Sequence, residues 1–196
     1  MRTKGLFSIV TAACMVLGLA AAADAHPKKV YQTTDVFLTS APATQPGGAT
    51  LVRSRNGAEM RIGTAMLTPN NVYTVWWVVF NNPAACSVPC NANDLTNPAV
   101  RAAVFYAAGF ITGVDGIGNV SAHMSAGSPP EGLAVVEGTA KGLEHGNGFD
   151  AEIHLVIRTH GAAINGRVDE QISSFGGACE VNLCMNQQAA VFKPVQ

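Results

Sequence analysis

The chain has 196 residues and a formal net charge of −1, with 48% hydrophobic and 13% charged residues. So little charge of either sign excludes the basic patch of a nucleic-acid binder, and no acidic tail offers a surface to a polycation. The length suits one ordinary domain behind a leader.

The leader comes first. Arg2 and Lys4 precede an apolar stretch over residues 6–23, and Ala23-Asp24-Ala25 puts small residues at the two positions a signal peptidase reads. The expectation is a cleaved signal peptide over 1–25, a secreted or periplasmic location, and a mature chain that begins at His26. Ser8, Thr11, Gly18 and many alanines make the stretch weaker than the roughly 20 strongly apolar residues of a spanning helix, so no transmembrane segment is expected in the mature chain. Cys14 lies inside the leader, whereas a lipidated cysteine would end the apolar run.

Residues 26–50 read as an N-terminal extended segment and loop, with a short strand around Val36-Phe37-Leu38 and a break at Gln45-Pro46-Gly47-Gly48. A single β domain is expected over 51–196. Asn56-Gly57 between extended runs signals a hairpin. Residues 73–80, rich in aromatic and β-branched side chains, form the clearest strand. Asn97-Pro98 followed by alanines suggests a short helix over 98–108 that runs into a strand, and 110–125 reads as a second hairpin turning at Asp115-Gly116-Ile117-Gly118. A short strand at 133–137 and a glycine-broken loop over 138–148 follow. Residues 151–160 alternate apolar and polar, the mark of a half-buried strand. Residues 168–175 suit a short helix or a strand, and 189–193 the last strand. Many short strands without long helices between them predict a mainly β fold, an antiparallel sandwich or barrel with at most one or two short helices.

Three stretches, Tyr73-Thr74-Val75-Trp76-Trp77-Val78-Val79-Phe80-Asn81-Asn82-Pro83, Ala151-Glu152-Ile153-His154-Leu155-Val156-Ile157-Arg158-Thr159-His160-Gly161 and Phe175-Gly176-Gly177-Ala178-Cys179, together resemble a group of exported bacterial proteins of unknown function. The resemblance covers most of the mature chain. It implies export and a β domain, and it carries no activity and hence no catalytic or binding residue.

Four cysteines remain outside the leader, Cys86, Cys90, Cys179 and Cys184, and an even number in an exported chain reads as two disulfides. Of the three pairings open to them, local closure of Cys86 with Cys90 and Cys179 with Cys184 is expected, because each pair can meet within a turn. Bonds closing such short loops pin the loops more than they hold up the fold. A four-cysteine zinc site is disfavoured by the spacing and by an oxidising compartment.

Two constellations could carry chemistry. In a strand, residues two apart share a face, so Glu152, His154, Arg158 and His160 project together, with His154 and His160 roughly 20 Å apart along it. Ligand bonds of about 2 Å forbid one metal bridging that pair. A copper or zinc site would instead join one of them to Glu152, His123, His145 or His26. An N-terminal His26 would offer both its amine and its ring to copper(II), as in secreted copper oxygenases and periplasmic copper carriers, although no further motif of either is present. The second constellation is the strand at 73–80, whose two faces are both apolar, so something must cover the second: a loop or the 98–108 helix, or a ligand or partner at Tyr73, Trp76 and Trp77.

Nothing assembles a catalytic set. There is no Gly-x-Ser-x-Gly elbow, the acidic residues are scattered, and Asp115-Gly116-Ile117-Gly118-Asn119 carries one acid and reads as a turn rather than a calcium loop. The leading expectation is an exported, non-catalytic β protein without a resident cofactor, binding a ligand or an envelope partner through its aromatic face. The alternative is an extracytoplasmic copper or zinc protein built on histidines.

Overall fold

The computed structural model of the chain describes residues 29–87, 89–127, 137–179 and 184–195. The leader, Cys14 and His26 lie outside these residues, as do 133–136 of the expected short strand. Among the described residues, nine strands form one antiparallel sheet: β1 (Val30–Leu38), β2 (Gly47–Ser54), β3 (Gly57–Thr64), β4 (Asn71–Phe80), β5 (Ala102–Ile111), β6 (Gly118–Ser125), β7 (Glu137–Gly138), β8 (Glu152–Ala162) and β9 (Met185–Phe192). Their order is β6-β3-β2-β1-β9-β8-β4-β5-β7, and the one α-helix among the described residues is α1 (Val168–Ser173). The mainly β, antiparallel class read from the sequence holds, in the form of a half-barrel.

The sheet curls at β1. Its residues 30–36 pair with β2, while Phe37 and Leu38 pair with β9, so one strand serves both halves of the sheet. The curl brings β5 back towards β6, where the Phe110 ring stands over Gly118. Inside it, Leu51, Met60 and Ile62 meet Tyr73, Val75, Trp77 and Val79 of β4 and Ile153, Leu155 and Ile157 of β8. The alternation seen in the sequence of β8 decides this: its apolar set points inward because a strand's side chains change face at every residue. Burying each such side chain is worth about 1.5–3 kcal/mol. Arg53 closes the interior, its guanidinium donating to the carbonyls of Gly148, Ala151, Phe192 and Lys193 at 2.7–3.2 Å. Desolvation pulls its pKa down to about 10, against the opposing charge of Glu152.

Three expectations are corrected. The 98–108 helix is absent: residues 98–101 form a turn and its end, and 102–108 belong to β5. Asn97 does cap a turn, accepting from the Ala99 N–H at 3.0 Å, but Arg101 takes φ 53° and ends it at once. Pairing with β4 then overrides the helical preference of the alanines. The second hairpin is also absent, because β6 pairs with β3 rather than β5. The β2–β3 hairpin does form, but Ser54 pairs with Gly57, so the turn residues are Arg55 and Asn56 rather than Asn56 and Gly57. Gly57 itself takes φ 154° against the Met124 carbonyl, where no side chain fits.

The outer face of β4 has its own apolar cluster, formed by Trp76, Val78 and Phe80 with Val104, Val100, Leu95 and Cys90. Two segments cover it. The 82–100 connection, clipped by Cys86–Cys90, lies over Phe80 and Val78. At the other end, α1 and the residues after it lie over Trp76 and β5: Phe175 meets the Trp76 ring edge-on at 4.9 Å, and Gly109 lets the Ile172 carbonyl approach the strand. Tyr73, Trp76 and Trp77 are therefore 0%, 1% and 1% exposed, so the expected aromatic surface is core and offers no face to a ligand or partner. A single-sheet fold with two covering segments demands apolar residues on both faces of its central strand.

Candidate metal centre

The site begins with an irregularity in β8. Pairing with β4 runs Tyr73↔Thr159 and then Val72↔Gly161, so His160 has no partner and is the extra residue of a bulge; Gly161 beside it takes φ 80°. A bulge re-aims the side chain it carries. The His160 ring is wholly buried on the outer side of the sheet, close to Thr74 and Trp76. Its Nε2 lies 3.0 Å from Thr74 Oγ1, which accepts from the Trp76 indole N–H at 2.7 Å, while its Nδ1 lies 3.1 Å from the Gly177 carbonyl. One proton assignment satisfies all three contacts: the indole donates to Thr74, Thr74 donates to Nε2, and Nδ1–H donates to Gly177.

Two cysteines stand at the Nδ1 edge. Met185 pairs with Thr159, which puts the preceding Cys184 abreast of His160 at the start of β9. Cys179 arrives from the other direction, after α1 and a turn in which Ala178 takes φ 50°. That connection is tied to the sheet. Gln171, fully buried, donates to the carbonyl of Ala162 at 2.9 Å, and Arg158 donates to the Phe175 carbonyl at 2.8 Å with its guanidinium 4.3 Å above the Phe175 ring. Cys184 Sγ and Cys179 Sγ then lie 3.4 and 3.7 Å from Nδ1, and the three donor atoms all fall within 4.8 Å of one another. The two sulfurs are joined as a disulfide, with Cα atoms 5.4 Å apart.

This cluster has the edges of a metal site. Tetrahedral zinc, with bonds of about 2.3 Å to sulfur and about 2.0 Å to nitrogen, sets S···N edges of about 3.5 Å and S···S edges of about 3.8 Å. Both S···N edges are already close to that length. The third edge is closed by the disulfide, so the set becomes a ligand set once the sulfurs are thiolates. Two thiolates and an imidazole select soft or borderline cations, copper(I) and zinc(II). Burial holds the His160 pKa below the usual imidazole value, with the bond to Gly177 opposing and the Arg158 charge acting the same way as burial, which favours the neutral ring that a ligand needs.

The other histidines do not join it. His154 donates to Glu152 at 2.7 Å and packs on Phe80 at the far end of the outer face. Glu152 is buried and also accepts from Lys193 at 2.9 Å; burial would raise its pKa, but these hydrogen bonds and charges bring it below the ordinary carboxylate value. His123 and His145 are exposed on β6 and in the 139–151 loop. Of the described histidines and the carboxylate named from the sequence, only His160 joins the cluster, and its companions are the two cysteines read as a simple clip; His26 lies outside the described residues. The Cys86–Cys90 and Cys179–Cys184 pairings are both as expected.

Searches of protein-family models, curated proteins and solved structures find no match to this chain.

Proposed function

We propose that this chain is an extracytoplasmic metal-binding β domain that holds one zinc(II) or copper(I) ion through His160 Nδ1, Cys179 Sγ and Cys184 Sγ. The observation that carries the reading is the convergence of these three donors within 4.8 Å, with the imidazole held by Thr74 on its other nitrogen. A ligating histidine is oriented by a hydrogen bond at its second ring nitrogen, and Thr74 is placed to accept Nε2–H once Nδ1 is given to the ion. The leader residues and the resemblance support export, which would put such a site outside the cytoplasm. The aromatic strand supports the site rather than forming one, because Trp76 orients Thr74.

The test is a titration of the fully reduced chain with zinc(II) and, separately, copper(I), read by elemental analysis and competition with a chromophoric chelator. One tightly held ion per chain is expected, with at least a hundredfold weaker binding in His160→Gln. Binding at nonspecific strength, or unchanged binding in His160→Gln, overturns the reading.

A further inference from the structure

The two disulfides close loops of nearly equal length, with sequence separations of 4 and 5, so loop entropy does not separate them. Their surroundings do. Cys90 is buried in the outer apolar cluster, Cys86 is half-buried against the same cluster, and the Cys90 sulfur lies 3.8 Å from the Pro83 carbonyl oxygen. A thiolate released at Cys90 would face apolar side chains and a carbonyl acceptor. Cys179 and Cys184 are only half-buried, and the imidazole Nδ1 of His160 stands beside both sulfurs. Attack by an external thiolate needs access to one sulfur and a stable place for charge on the other. The second pair has both; the first is open at Cys86, but among the described residues no donor stands beside the buried Cys90 sulfur to take the charge.

We infer that Cys179–Cys184 is a reversible thiol–disulfide exchange centre for a dithiol-bearing partner, and that this exchange opens the metal site. In the forward direction one partner thiolate attacks a sulfur of the pair, the Cys179–Cys184 bond breaks and a mixed disulfide forms. The partner's second thiol then attacks that mixed disulfide and frees the remaining cysteine. The partner is oxidised to its disulfide, the pair gains two electrons, and the two protons of the dithiol end on Cys179 and Cys184. They leave to solvent when an ion is bound. The exchange step stands on the cysteine surroundings alone, and its coupling to a metal rests on the proposed function.

The test treats the oxidised full-length chain with graded dithiothreitol, with and without zinc(II), traps free thiols with N-ethylmaleimide, and reads each cysteine by peptide mass spectrometry. Cys179 and Cys184 are expected to open at a dithiothreitol concentration at least tenfold below that for Cys86 and Cys90, to close again with oxidised dithiothreitol, and to be shielded from the maleimide by zinc(II). Opening of both pairs together, or of Cys86–Cys90 first, overturns the exchange centre. Zinc(II) bound equally by the unreduced chain overturns the coupling. Selective opening without zinc shielding, and without copper(I) binding, leaves the exchange centre standing and overturns the metal reading. Zinc bound by a chain whose pairs open together does the reverse.

Discussion

Two segments cover the outer face of β4, the 82–100 connection and α1 with the residues after it, and a local disulfide lies in or next to each. The Cys86–Cys90 loop is pinned from within: Asp94 accepts from the Ser87 N–H, the Ser87 hydroxyl and the Asn91 N–H at 2.8–2.9 Å, and a cysteine side chain fills the apolar cluster over Phe80 and Val78. The connection that runs through α1 to Cys179 is tied to the sheet by Gln171 and Arg158, and the Cys179 and Cys184 sulfurs stand beside an imidazole. The same covalent device buries one sulfur among apolar groups in the first pair and sets both sulfurs beside a buried imidazole in the second. What separates the two is the β8 bulge, which turns one histidine towards a sulfur pair.

Cysteine replacement breaks the comparison most sharply. Cys184→Ser is expected to abolish zinc and copper(I) binding while lowering stability only slightly, since a half-exposed clip on a short loop contributes little. Cys90→Ser is expected to leave the metal stoichiometry of the reduced chain intact and to lower stability, because a hydroxyl replaces a thiol in an apolar cluster. Metal titration and chemical denaturation of both variants check this, and the comparison fails if the two exchange phenotypes.

Thr74→Val tests the support behind the histidine. It removes the group that pairs the Trp76 indole and His160 Nε2, leaving two buried polar atoms without partners at a cost of about 1–3 kcal/mol each. Metal affinity is expected to fall about 10- to 100-fold, the usual effect of losing an outer-shell partner. Denaturation and metal competition read the two effects separately, and stability loss without any affinity change would remove Thr74 from the site.

A smaller effect marks the other end of the outer face, where Glu152 joins His154 and Lys193. Its pKa is lowered in the folded chain, so the folded state binds fewer protons there than the unfolded one. The stability it supplies is complete above the unfolded value near 4.3 and is lost as pH falls through the folded value. Glu152→Gln is expected to cost about 1–3 kcal/mol at pH 7 and progressively less below about pH 4. Metal binding should be unchanged, since these residues lie outside the site. Denaturant melts across pH 3–7 check the convergence of the two chains.

Much of this fold was legible in the sequence because it follows from local pattern. The alternation of β8, the doubly apolar β4 and both cysteine pairings depend on residues near one another in the chain. Failures came where distant pairing decides. The alanines of β5 read as helix until β4 claims them, and β6 leaves an apparent hairpin to pair with β3. The site was legible only in part. His160 was named, but as a polar-face residue of a straight strand, and its cysteine companions were set apart as a clip. The signal that could have joined them is Gly161, a glycine directly after a strong alternating run, which marks a bulge. That Cys184 would lie beside it depends on the β8–β9 register, which no short motif encodes.

The central claim is that His160, Cys179 and Cys184 form one ligand set, and metal K-edge absorption of the reduced, zinc-loaded chain tests it most directly. Two sulfur scatterers at about 2.3 Å and an imidazole nitrogen at about 2.0 Å are expected, with the imidazole signature lost in His160→Gln. A first shell of oxygen and nitrogen alone, or a sulfur shell indifferent to His160, contradicts it.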